Sequence, residues 1–181
     1  MRFLVNAALL SATTVVSMPA RGDETRIRAG VGLEGGAVAM PDENIGLGAV
    51  GFYGRFGAQI GNVVSIYDAP GVNFVAAPRF GSNILLKEAI MIDFTIHDRF
   101  TVGVGPSTGL WLGSAGVEGQ LGGTVHLAAY PWLAARDTGR RGFAVSLDLT
   151  PAFAMTGLSG PFSPDPKGLF FALVGVGYET F

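Results

Sequence analysis

One feature constrains this chain more than any other: beyond Asp23 its apolar residues recur with period two, and charge keeps largely to the opposite phase. In 143–155 one phase reads Phe143, Val145, Leu147, Leu149, Pro151, Phe153 and Met155, while the other reads Ala144, Ser146, Asp148, Thr150, Ala152 and Ala154. Successive side chains of a β-strand point to opposite faces, so this pattern predicts a strand with one wholly apolar face. In 100–113, Val102, Val104, Leu110 and Leu112 alternate with Thr101, Gly103, Ser107 and Gly109. In 89–96, Ile90, Ile92, Phe94 and Ile96 alternate with Met91, Asp93 and Thr95.

Eight strands follow, at 26–39, 45–60, 63–79, 87–96, 100–113, 117–132, 142–156 and 168–181. Gly61-Asn62 is a favoured hairpin turn, 97–99 is a second tight turn, and 134–141 is a polar one. The other connections, 40–44, 80–86, 114–116 and the Pro-rich 156–167, read as loops. With both termini at one end, the turns share that end and the loops the other. The third segment is irregular: Asp68-Ala69-Pro70-Gly71 interrupts its alternation and predicts a bulge or bend, with the register open.

Composition separates the ways such a sheet could live. Hydrophobic residues make up 49% of the 181 and charged ones 14%, against about 25% charged in ordinary soluble domains. Past the N-terminus no apolar run reaches the roughly 20 residues of a membrane helix. The first 22 residues have a basic start at Arg2, an apolar segment and then small residues, which predicts a secretory signal cleaved near 20–22 and a barrel domain over 23–181. A net charge of −2 without a basic run excludes a nucleic-acid footprint. The absence of cysteine removes disulfides and thiol chemistry, and two histidines in separate segments make no metal set. No cofactor is implied.

Charge placement then distinguishes a membrane barrel from a soluble, lipocalin-like binding barrel. The phase opposite the apolar one holds Arg28, Glu34, Arg55, Asp93, Glu118, Asp148 and Glu179 among Gly, Ala, Ser and Thr. A water-facing surface would carry dense Lys and Glu, whereas scattered charge among small residues suits the crowded interior of an eight-stranded barrel. The apolar phase would face lipid. The fold class is therefore all-β: an eight-stranded antiparallel up-and-down transmembrane β-barrel.

The final stretch, GLFFALVGVGYETF, is then the strand that closes on the first, because an open edge does not persist in hydrocarbon. In this pattern the chain resembles the small outer-membrane β-barrel family, the OmpA/OmpX-like group. That resemblance implies a Gram-negative outer membrane, lipid as surroundings, and recognition of a C-terminal aromatic strand by the barrel assembly machinery, here through Tyr178 and Phe181. The family pattern is aromatic-x-aromatic, and this chain has one residue more, which puts the two rings in opposite phases. Phe181 is expected in an interfacial aromatic belt with Phe100, Trp132 and Phe143.

Inside, pairing across the third turn places His126 opposite Asp148, and barrel closure brings Arg28 towards Glu179, with Arg55 and Asp93 near the same end. These six residues form an expected polar network filling the lumen, since buried charges need partners. The expected role is structural or surface interaction through the loops, with an unnamed surface partner and no catalysis. Three other readings stay open: a narrow cation-preferring, porin-like pore, a lipid-modifying enzyme using His126, and the soluble binding barrel.

Overall fold

The computed structural model describes residues 25–77, 81–96, 99–113, 116–136, 139–155 and 168–181. The expected signal segment, the 156–167 loop and parts of four connections (78–80, 97–98, 114–115 and 137–138) lie outside the described residues. The strands are β1 (Thr25–Met40), β2 (Ile45–Ile60), β3 (Val64–Asp68), β4 (Gly71–Ala77), β5 (Gly81–Ile96), β6 (Phe100–Gly113), β7 (Gly116–Arg136), β8 (Gly139–Met155) and β9 (Gly168–Thr180). A single 3-10 turn, Pro41–Glu43, joins β1 to β2.

All pairings are antiparallel, and β1 pairs with both β2 and β9, so the sheet closes into a ring. The seam runs from Ala29 opposite Thr180 to Ala39 opposite Phe170.

β3 and β4 together fill one place in the ring. Both pair with β2 on one side and β5 on the other. The register is unbroken between them: Asp68 faces Phe56 and Ile90, and Gly71 faces Tyr53 and Lys87. No residue is inserted, so of the expected bulge or bend there is no bulge. The interruption is the missing N–H of Pro70. Around it the ladder continues, with Gly54 N–H donating to Pro70 O and Ala69 N–H to Ala89 O, both at 2.8 Å.

A bulge lies elsewhere. Between Ala129 opposite Val145 and Trp132 opposite Phe143, two β7 residues, Tyr130 and Pro131, face the single β8 residue Ala144. Pro131 cannot donate to the ladder, and the extra residue changes the phase. Tyr130 keeps the inward phase of His126 and Ala128, while Trp132 turns outward, 72% exposed. The sequence pairing of Trp132 with Gly142 is thus off by one, yet His126 does face Asp148. β5 also begins earlier than expected, and 81–86 is strand rather than loop. Leu85 is buried inside and its neighbour Leu86 is exposed outside, so both phases are apolar there and no alternation marks the strand.

The exterior is an apolar surface: Val31 is 70% exposed, and Phe52, Phe94, Val104, Val125, Phe153 and Val176 all point outward. Two carboxylates depart from the partition. Asp68 and Glu88 lie on the outward phase and hydrogen-bond each other. At the turn end, Trp132, Phe143 and Tyr178 form an outward ladder of edge-to-face rings with centroids 6.4 and 5.5 Å apart, and Phe100 is exposed as well. Phe181 does not join them. Without a terminal bulge its phase is that of Glu179, so it points inward and packs on Tyr130 at 5.1 Å.

Candidate functional site

The turn half of the lumen is filled by charge. Arg28 comes from the start of β1, and its guanidinium reaches Asp93 Oδ2 on β5 and Glu179 Oε2 on β9, each at 2.9 Å. It also donates to Tyr130 Oη at 3.1 Å. Arg55 on β2 bonds the other Glu179 oxygen, Oε1, donates to Ser146 Oγ at 3.2 Å, and lies 3.9 Å from Asp148 Oδ2. Tyr67 donates to Asp93 Oδ2 at 2.8 Å and Tyr130 to Glu179 Oε2 at 3.0 Å. The rings add cation–π contacts, with Arg28 4.1 Å from the Tyr67 centroid and Arg55 4.6 Å from that of Tyr53.

His126 and Asp148 meet at 2.5 Å through Nδ1 and Oδ1. A carboxylate only accepts, so the proton sits on Nδ1. Arg55 Nη2, 3.4 Å from the same nitrogen, is then a close neighbour rather than a donor to it. On the far side of the ring, Nε2 faces Asp93 Oδ2 at 3.8 Å. Ser146 is held by Arg55 and not by the imidazole. The pair is thus oriented as part of an ion network, and among the described residues no hydroxyl nucleophile is bonded to the imidazole.

All six network residues expected from the sequence, Arg28, Arg55, Asp93, His126, Asp148 and Glu179, come together here. Three members were not foreseen. Tyr67 lies in the strand whose register was open, Tyr130 shares the inward phase of His126 but gives no sign of its partners, and neither does Ser146. Continuing the β2 pairing through the Gly61 turn, where φ is 58°, would have located Tyr67. Tyr178 and Phe181 are separated by the wall, one outside and one inside.

The lumen is not polar throughout, which corrects the expectation. Glu34 on β1, bonded by Lys87 Nζ at 2.7 Å and Asn73 Nδ2 at 2.8 Å, forms an upper polar layer. In the loop half most inward side chains are apolar: Val38, Leu47, Val75, Leu85, Leu169, Phe171 and Leu173 pack as one cluster, with Asn83 and Gln120 buried beside them. Aliphatic side chains fill a narrow interior without needing partners, whereas each added polar group would need one. Between the two halves lies a cavity of about 50 Å³, bounded by Arg55, His126, Asp148 and Lys87 on the charged side and by Leu85 and Phe171 on the apolar side. That is room for a few waters, at about 10–15 Å³ each.

Among the described residues no group of three or more His, Cys, Asp or Glu is placed to hold a metal ion, and no helix is long and apolar enough to cross a membrane. No family model and no curated protein matches the chain. Among solved structures, the outer membrane protein AlkL, determined by solid-state NMR in DMPC lipid bilayers, is similar over 91% of this chain and 92% of its own. The TM-score is 0.44 and the identity 10%.

Proposed function

We propose that the chain is a small outer-membrane β-barrel protein of a Gram-negative bacterium, akin to the OmpA/OmpX-like group, with a structural or surface-interaction role and a sealed lumen. The observation that supports this most is the inversion of the barrel: large apolar side chains outside, and Arg28, Arg55, Asp93 and Glu179 buried inside. A soluble barrel would expose the charges and bury the apolar phase. On this reading the barrel assembly machinery receives the C-terminal strand, and any surface partner engages the loops. His126 serves as a structural partner of Asp148 rather than as a base.

A second reading, a narrow cation-preferring pore, is favoured by one observation: three carboxylates, Asp93, Asp148 and Glu179, face two arginines in the network. The test begins with separated inner and outer membranes run on a gel with and without boiling. The expected result is a band confined to the outer membrane that changes mobility on heating. A periplasmic soluble band without a shift would turn the reading to a ligand-binding soluble barrel. In planar bilayers the purified barrel is expected to be silent, and a sustained cation current would put the pore first.

A further inference from the structure

The charged floor does more than fill space, because its contacts are distributed unevenly around the ring. Glu179 is on β9, close to the chain end, and has no exposed surface. Its two oxygens serve three other strands: Oε1 takes Arg55 of β2, and Oε2 takes Arg28 of β1 and Tyr130 of β7. Among the described residues it is the one carboxylate bonded by both arginines; of the two, Asp93 takes only Arg28, and Asp148 lies 3.9 Å from Arg55.

The seam beneath it is made to be crossed. Gly30 lies opposite Glu179 across the β1–β9 pairing, and a Cβ there would come 2.6 Å from Glu179 Cγ. On the same inner face a Cβ at Gly32 would come 2.5 Å from the Tyr53 ring, one at Gly177 2.3 Å from Tyr53 Oη, and one at Gly175 2.9 Å from the same ring. Glu179 therefore lies over β1 from the β9 side, and Tyr53 lies over β1 from the β2 side and reaches β9. Two straps of opposite origin cross one glycine floor. The Arg55 guanidinium touches both, stacking 4.6 Å from the Tyr53 centroid and bonding Glu179.

We infer that Glu179 is the latch of barrel closure, so that docking of β9 on β1 and sealing of the charged floor are a single event. Before β9 arrives, the inner face of the β1–β2 hairpin presents Arg28 and Arg55 on adjacent strands without the carboxylate that bridges them. The strand that completes the backbone ladder also brings that carboxylate, and the absence of side chains at Gly30 and Gly32 lets it lie flat. The seam thus depends on lumen charge in a way that the other strand pairs do not. This inference deepens the sealed-barrel reading and rests on it for the surroundings, but not for the seam geometry.

The chain has no cysteine, so engineered pairs report cleanly. Leu33 and Val176 face each other across the seam and point outward, as Val104 and Val125 do across β6 and β7. Leu33→Cys/Val176→Cys and, separately, Val104→Cys/Val125→Cys are refolded in detergent and oxidised, with and without Glu179→Gln. The expected result is loss of most of the seam cross-link in the Gln background, with the β6–β7 cross-link unchanged. Removing one arginine too, as Arg55→Gln/Glu179→Gln, should restore the seam cross-link, since Arg28 keeps Asp93 and Asp148 keeps His126. Equal cross-linking at both places, or equal loss at both, overturns the latch, the latter by making Glu179 a general folding residue. A soluble wild-type protein would overturn the membrane reading while leaving the seam comparison readable.

Discussion

Asp93 shows how closely the floor is fitted at the scale of single residues. It is fully buried, takes Arg28 and Tyr67 on Oδ2, and its Oδ1 lies 1.7 Å from where a Cβ on Gly103 would stand. Gly103→Ala must therefore displace the carboxylate. It is expected to lower the midpoint of heat-induced mobility change by the equivalent of about 1–3 kcal/mol, the usual cost of overpacking. Gly46→Ala, where a Cβ meets nothing within 4 Å, is the control and should leave the midpoint where it was. Residues of this kind were legible from the sequence when the path to them was a short hairpin, as with His126 and Asp148. They were not legible when the register was open, as with Tyr67, or when the phase marked a residue as inward without naming its partner, as with Tyr130. Nor did the sequence reveal that Glu179 would serve two arginines, because that depends on which side chains meet across the diameter.

At the scale of elements, the two prolines in the wall act differently. Pro131 accompanies an inserted residue and turns Trp132 to the outer aromatic ladder. Pro70 only withholds an N–H from a strand that otherwise keeps register. Gly54 already donates to Pro70 O, and antiparallel partners of this kind exchange two bonds. Pro70→Val supplies the second donor and a residue suited to strands. It is expected to raise the heat-modification midpoint, by about 0.5–1.5 kcal/mol if the new bond has its usual net value. No change, or a fall, would mean that the missing N–H costs the wall nothing. Most strand positions followed from alternation, and the exception is instructive. Where Leu85 faces in and Leu86 faces out, both phases are aliphatic and the period-two signal vanishes, which is why the start of β5 was read as loop.

At the scale of the whole molecule, the outer surface sets the terms. Val125 lies midway along β7 and Val117 near its loop end, both outward. In a bilayer, Val125→Arg is expected to destabilise by about 2–4 kcal/mol and Val117→Arg by only about 0–1, as for lipid-facing charge at the midplane and the interface. Equal effects in urea titrations of the refolded barrel would argue against a surrounding hydrocarbon layer. The interior has its own axial order, with aliphatic packing in the loop half and ion pairing in the turn half. These are two stoppers of unlike chemistry in series. An ion that could trade its hydration for the lower charges must first pass a mainly apolar stretch, with few polar groups such as Asn83 and Gln120 to meet it. An oily molecule that could enter the upper region ends against guanidinium and carboxylate. On the sealed-lumen reading, each stopper turns back what the other would admit, so neither half has to be a perfect seal.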